Sequence, residues 1–161
     1  MAAALVTGLF ALVSTTAAMA LPVTVTSAAQ GWTLTPYPYH QSLCGSPALT
    51  GLTANVPVAD WRDCVSLYSA FSTTGVFNFN TNGTAPVASF VPVLNYRDCS
   101  LAVSTNHTGK LGDEDLRAAL KLALMEASMG TEIVAEGDMA CSCFKGGPKT
   151  GFKWRVFGSG N

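Results

Sequence analysis

Residues 113–128 read DEDLRAALKLALMEAS, and the spacing of their apolar side chains decides much of the fold. Leu116, Ala119, Leu120, Ala123, Leu124 and Ala127 recur at three- and four-residue intervals, which stacks them on one face of an α-helix. Asp113 is expected to cap the helix and Gly130 to end it. Asp113, Glu114 and Asp115 crowd the first turn, where the helix dipole favours negative charge. They therefore read as capping residues rather than a catalytic pair.

Working outward, Asn106–Gly112 reads as a polar loop. Before it lie two strand candidates, Phe90–Leu94 and Cys99–Val103, with Pro92 marking an edge or a bulge. Val76-Phe77-Asn78-Phe79-Asn80 alternates apolar and polar side chains, as a half-buried strand does, and Asn82-Gly83 supplies turn chemistry. A first helix starts at Asp60, with Trp61, Cys64, Val65, Tyr68 and Phe71 on its inner stripe and Gly75 after its end. Ile133–Cys143 and Phe152–Phe157 close the chain as strands around a flexible loop, Lys145–Lys149. This order predicts an α+β fold, an antiparallel sheet with two helices packed on one face, of the split βαβ or killer-toxin-like sandwich kind and stabilised by disulfides.

The first twenty residues carry no charged side chain, and Ala18-Met19-Ala20 presents small residues where a signal peptidase reads. Residues 1–20 are expected to be a secretory signal cleaved after Ala20. The mature chain then has no stable membrane span, and the protein is extracellular. Residues 21–42 are rich in Thr, Ala and Pro and read as an extended arm without regular strand or helix. Residues 43–161 then form one domain. The mean hydropathy of +0.30 is inflated by the leader. With 9 basic and 10 acidic residues the net charge is −1, so no global attraction to nucleic acid or anionic lipid is expected.

Five cysteines in a secreted chain imply two bridges and one spare thiol, with three connectivities open for any four of them. Cys141-Ser142-Cys143 lacks zinc-ligand spacing and a nearby histidine, so no metal or other cofactor is expected. Asn82-Gly83-Thr84 and Asn106-His107-Thr108 are glycosylation sequons in turn-like stretches. Neither His40, in the arm, nor His107, inside a sequon, sits where a general base is normally held. Two candidate sites remain. Asp63 and Asp98 each precede a cysteine in a repeated Arg-Asp-Cys; they would converge if those cysteines were bridged, as a carbohydrate-active enzyme would need, or form only a salt-bridge cluster. Lys145, Lys149, Lys153, Trp154 and Arg155 offer a basic, aromatic patch for an anionic surface or wall glycan. Strand alternation instead turns Trp154 inward.

Several short motifs, taken in order, carry a family resemblance. They are Cys44-Gly45, Asp63-Cys64 at the first helix, Tyr96-Arg97-Asp98-Cys99 followed by Leu101-Ala102-Val103, Gly137-Asp138-Met139-Ala140-Cys141 after the second helix, and a late Trp154. Together they resemble the fungal secreted effector family of necrosis-inducing factors, homologues of the extracellular protein effector of a tomato leaf-mould fungus. The resemblance implies that Cys44, Cys64, Cys99 and Cys141 are the disulfide cysteines, with Cys64–Cys99 and Cys44–Cys141 the expected pairs and Cys143 an additional, free thiol. It further implies a non-enzymatic, toxin-like virulence protein acting on an unidentified surface target of host or competitor cells.

Overall fold

The computed structural model describes residues 24–25, 31–51, 55–80, 87–142 and 149–160. The expected leader, Asn82, Cys143 and Lys145 lie outside the described residues. The chain order is β1 (Thr24–Val25), β2 (Trp32–Pro36), β3 (Ala48–Gly51), β4 (Ala59–Asp60), α1 (Trp61–Ala70), β5 (Gly75–Phe79), β6 (Val87–Tyr96) and β7 (Cys99–Thr105). It continues with β8 (Gly109–Gly112), α2 (Asp113–Glu126), β9 (Ser128–Met129), β10 (Glu132–Ile133), β11 (Ala135–Ser142) and β12 (Lys149–Gly158). The fold is α+β, and the described strand pairs are antiparallel.

The strands form a main sheet in the order β1-β6-β7-β12-β11-β3 and two three-stranded sheets, β2-β5-β8 and β4-β10-β9. In the main sheet the register sets Val103 opposite Trp154 and Trp154 opposite Gly137, so one layer crosses three strands on the inner face. Gly137 is required there. A Cβ on it would stand 2.1 Å from the Ala48 carbonyl oxygen and 2.3 Å from the Trp154 ring. Phe152, Trp154 and Val156 are fully buried, as period-two alternation requires.

Three expectations are corrected, two on strands and one, below, on the α2 cap. The Thr/Pro-rich arm was expected to lack regular structure, but Trp32–Pro36 is a strand paired along its length with β5. Trp32 is 1% exposed, with its ring 5.3 Å from that of Phe77 and 6.5 Å from that of Phe79. Phe79 in turn meets Phe152 edge-on at 5.4 Å, which joins the small sheet to the main one. Burying so much aromatic surface outweighs the reluctance of a proline-bearing segment to pair, and Pro36 falls at the strand's last residue, where a missing N–H matters least. The loop expected at Asn106–Gly112 likewise ends in strand β8, because Leu111 is buried opposite Phe77.

Both helices start and stop for identifiable reasons. In α1 the Asp60 carboxylate accepts the Arg62 N–H at 2.8 Å. The buried stripe is centred on Cys64, Leu67 and Phe71, with Trp61, Val65 and Tyr68 half-buried at its margins. The last turn of α1 has no basic residue of its own. Arg117 of α2 supplies the cation instead: its guanidinium donates to the Tyr68 and Phe71 carbonyls and lies over both rings. In α2, Leu116, Ala119, Leu120 and Ala123 are buried as the periodicity demands. Its N-cap is Gly112 rather than Asp113, and Asp115 accepts the Gly112 N–H at 2.7 Å. Only glycine fits at 112, since a Cβ would come within 1.9 Å of the Gln41 carbonyl oxygen.

Candidate functional site

Cys64 is bonded to Cys99 and Cys44 to Cys141. The first bridge fixes α1 to the start of β7. The second ties the segment after the arm to the main sheet across a sequence separation of 97.

The Arg-Asp-Cys repeats do converge around Cys64–Cys99. Asp63 accepts the Asp98 N–H at 3.3 Å and lies 3.6 Å from Arg97 Nη1. Asp98 accepts the Asp60 N–H at 3.2 Å and the Ser159 hydroxyl at 3.5 Å. Main-chain donors thus engage both carboxylates, an arrangement that fixes loops. Neither acid lines either of the two surface hollows described next.

The larger hollow, about 540 Å³, lies on the outer face of the main sheet. Cross-strand pairs of opposite charge form its floor: Asp138 faces Lys153, and Glu136 faces Arg155. Arg155 donates to Glu136 from Nε at 3.0 Å and from Nη2 at 2.7 Å, and lies 3.9 Å over the Phe90 ring. Ser104, Thr105 and exposed Asn106 complete the wall, so a glycan on the second sequon would stand at its rim. Lys149 is exposed at the start of β12. Trp154, expected as part of this patch, is 0% exposed and offers no surface to a ligand, because alternation turns it into the core. A smaller hollow of about 310 Å³ lies between β3 and the end of α2, lined by Leu49, Gly51, Ala127 and Met129 among others.

The strongest buried polar cluster was not foreseen. Asp113 is 0% exposed and accepts three hydrogen bonds: Oδ1 from the Gln41 N–H at 2.9 Å and the Gly75 N–H at 3.0 Å, and Oδ2 from His40 Nδ1 at 2.5 Å. Asp115, also buried, accepts the N–H groups of Leu43 at 3.0 Å and Cys44 at 3.2 Å, and the Ser42 hydroxyl at 3.1 Å. The first turn of α2 therefore clamps residues 40–44. The sequence places His40 in an extended arm, away from any general-base position, but a carboxylate 73 positions away fixes it. No local motif carries that signal: three acids in the first turn fit a helix dipole equally well.

Burial alone would push the Asp113 carboxyl up. The Gly75 N–H, the His40 ring and the Gln41 N–H outweigh it, holding the pKa below the ordinary 3.8. A group depressed on folding contributes stability above its unfolded value and loses it as pH falls through the folded one. Asp113 should therefore support the fold fully above about pH 4 and progressively less in more acid solution. In urea titrations across that range Asp113→Asn should flatten the acid limb; an unchanged limb would remove Asp113 from the account.

No curated protein matches this chain. The family model for Hce2, described as a pathogen effector and putative necrosis-inducing factor, matches residues 43–141. That span starts one residue before the first bridged cysteine, ends on the last and covers more than half of the sequence. The chain belongs to the Hce2 family of pathogen effectors.

Proposed function

We propose that this protein is a secreted, non-enzymatic effector of toxin-like character that acts by binding a surface target on host or competitor cells. The family match over residues 43–141 carries the reading. A leader at 1–20, two disulfides and two sequons support an extracellular route, with the domain taken as residues 43–161 and glycans on Asn82 and Asn106. The described helices are 10 and 14 residues long, and none is long and apolar enough to cross a membrane. The polar hollow around Asp138, Lys153 and Arg155 is the proposed contact surface. It combines charges of both signs with the half-exposed Phe90 ring, a chemistry suited to a mixed polar partner.

The test is to express the full chain in a eukaryotic secretory host and apply the purified product to leaf tissue and to competing fungal cells. Cell death or growth arrest is expected in one of them. The activity should survive Asp63→Asn with Asp98→Asn and be lost with Asp138→Lys and Lys153→Glu, both variants remaining folded by circular dichroism. Loss in the first variant alone would replace binding by an acid-dependent enzyme. No effect on either cell type would overturn the proposal.

A further inference from the structure

We propose that His40, Asp113 and Glu114 form a binding site for a divalent transition metal of the zinc type, with His40 Nδ1, Asp113 Oδ2 and Glu114 Oε1 as ligands. These three atoms all lie within 4.8 Å of one another. His40 Nδ1 is 3.3 Å from Glu114 Oε1, the edge of a tetrahedron with bonds of roughly 2 Å. His40 Nδ1 and Asp113 Oδ2 are hydrogen-bonded at 2.5 Å. Metal bound at Nδ1 would leave the neutral ring's one proton on Nε2, and the pair would open by about 0.8 Å to reach tetrahedral spacing.

The ligands come from two segments that are locked together independently of any ion. Gln41 donates its N–H to Asp113 Oδ1, and the Glu114 N–H donates back to the Gln41 carbonyl at 3.0 Å. Cys44, four residues beyond His40, is bonded to Cys141. Two main-chain donors hold Asp113 Oδ1, so the other oxygen points at the imidazole, the orientation that outer-shell hydrogen bonds give a metal-ligating carboxylate. Two carboxylates and a neutral imidazole balance a 2+ ion, and this donor set suits Zn²⁺, Ni²⁺ or Cu²⁺. Arg117 Nε, 3.4 Å from Glu114 Oε1, competes for that oxygen but keeps the Tyr68 and Phe71 carbonyls if it yields it. The His40 side chain is 54% exposed and that of Glu114 41%, which opens the site to solvent and leaves room for water as a fourth ligand.

The probe is zinc chloride added to chelator-stripped full-length protein at neutral pH, followed by NMR and by calorimetry. The expected result is saturable one-to-one binding that shifts the His40 ring resonances. His40→Gln and Glu114→Gln should each weaken it about tenfold or more, while circular dichroism shows both still folded. No heat and no shift at His40 with excess zinc would overturn the site. So would binding that both variants retain at full strength.

Discussion

Replacing Asp115 with alanine is expected to destabilise the protein by about 3–5 kcal/mol, a large part of the roughly 5–15 kcal/mol that holds a domain folded. The side chain accepts four donors, the N–H groups of Gly112, Leu43 and Cys44 and the Ser42 hydroxyl. Truncation orphans all of them, and each buried donor left unpaired costs about 1–3 kcal/mol. Water entering the half-buried side of the site recovers part of that loss, which keeps the total below the simple sum. Asp115→Asn has the same shape and keeps one carbonyl acceptor, so it should cost distinctly less. Urea midpoints of the two variants decide the matter. Equal losses would mean that the carboxylate's charge, rather than its hydrogen bonds, holds the clamp.

Removing the Cys44–Cys141 bridge as a double alanine variant is expected to cost about 4–5 kcal/mol, since the bond closes a loop spanning a sequence separation of 97. The Cys64–Cys99 bridge closes a separation of 35, and its removal should cost about 1 kcal/mol less on the same loop-entropy argument. Thermal unfolding of both variants tests the order. A reversed order would show that packing around buried Cys64 and Cys99 outweighs chain entropy. Asp115 accepts the N–H of Cys44, so the Asp115 and Cys44–Cys141 variants share one segment. Their combined loss should fall short of additivity, because whichever is removed first frees residues 40–44.

Regular periodicity was the legible part of the sequence. The α2 stripe, the alternation in Val76–Phe79 and the inward turn of Phe152, Trp154 and Val156 follow from local spacing; the structure buries the residues so marked except Leu124 and Ala127, which are half-buried at the end of α2. What escaped was anything built from distant partners. Trp32 and Pro36 belong to a strand only because β5, some forty residues later, offers Phe77 and Phe79 against Trp32. His40 is fixed only because Asp113 is buried and turned toward it. On α1 the buried line runs through Leu67 rather than Val65, a rotation that the helix's own pattern left open and that packing against the sheet and α2 decided.

Strand β2 also fixes the order in which the molecule can come together. Trp32 is among the first of the described residues to leave the ribosome, yet its partner β5 and that strand's other neighbour, β8, follow some forty and eighty residues later. Cys44 waits longer still, for Cys141. Such non-local pairing makes for slow folding, completed only after Cys141 has been synthesised. Until then the indole and the unpaired thiol stay open to chaperones, so folding treats the stretch from Trp32 to Cys141 as one unit rather than piece by piece.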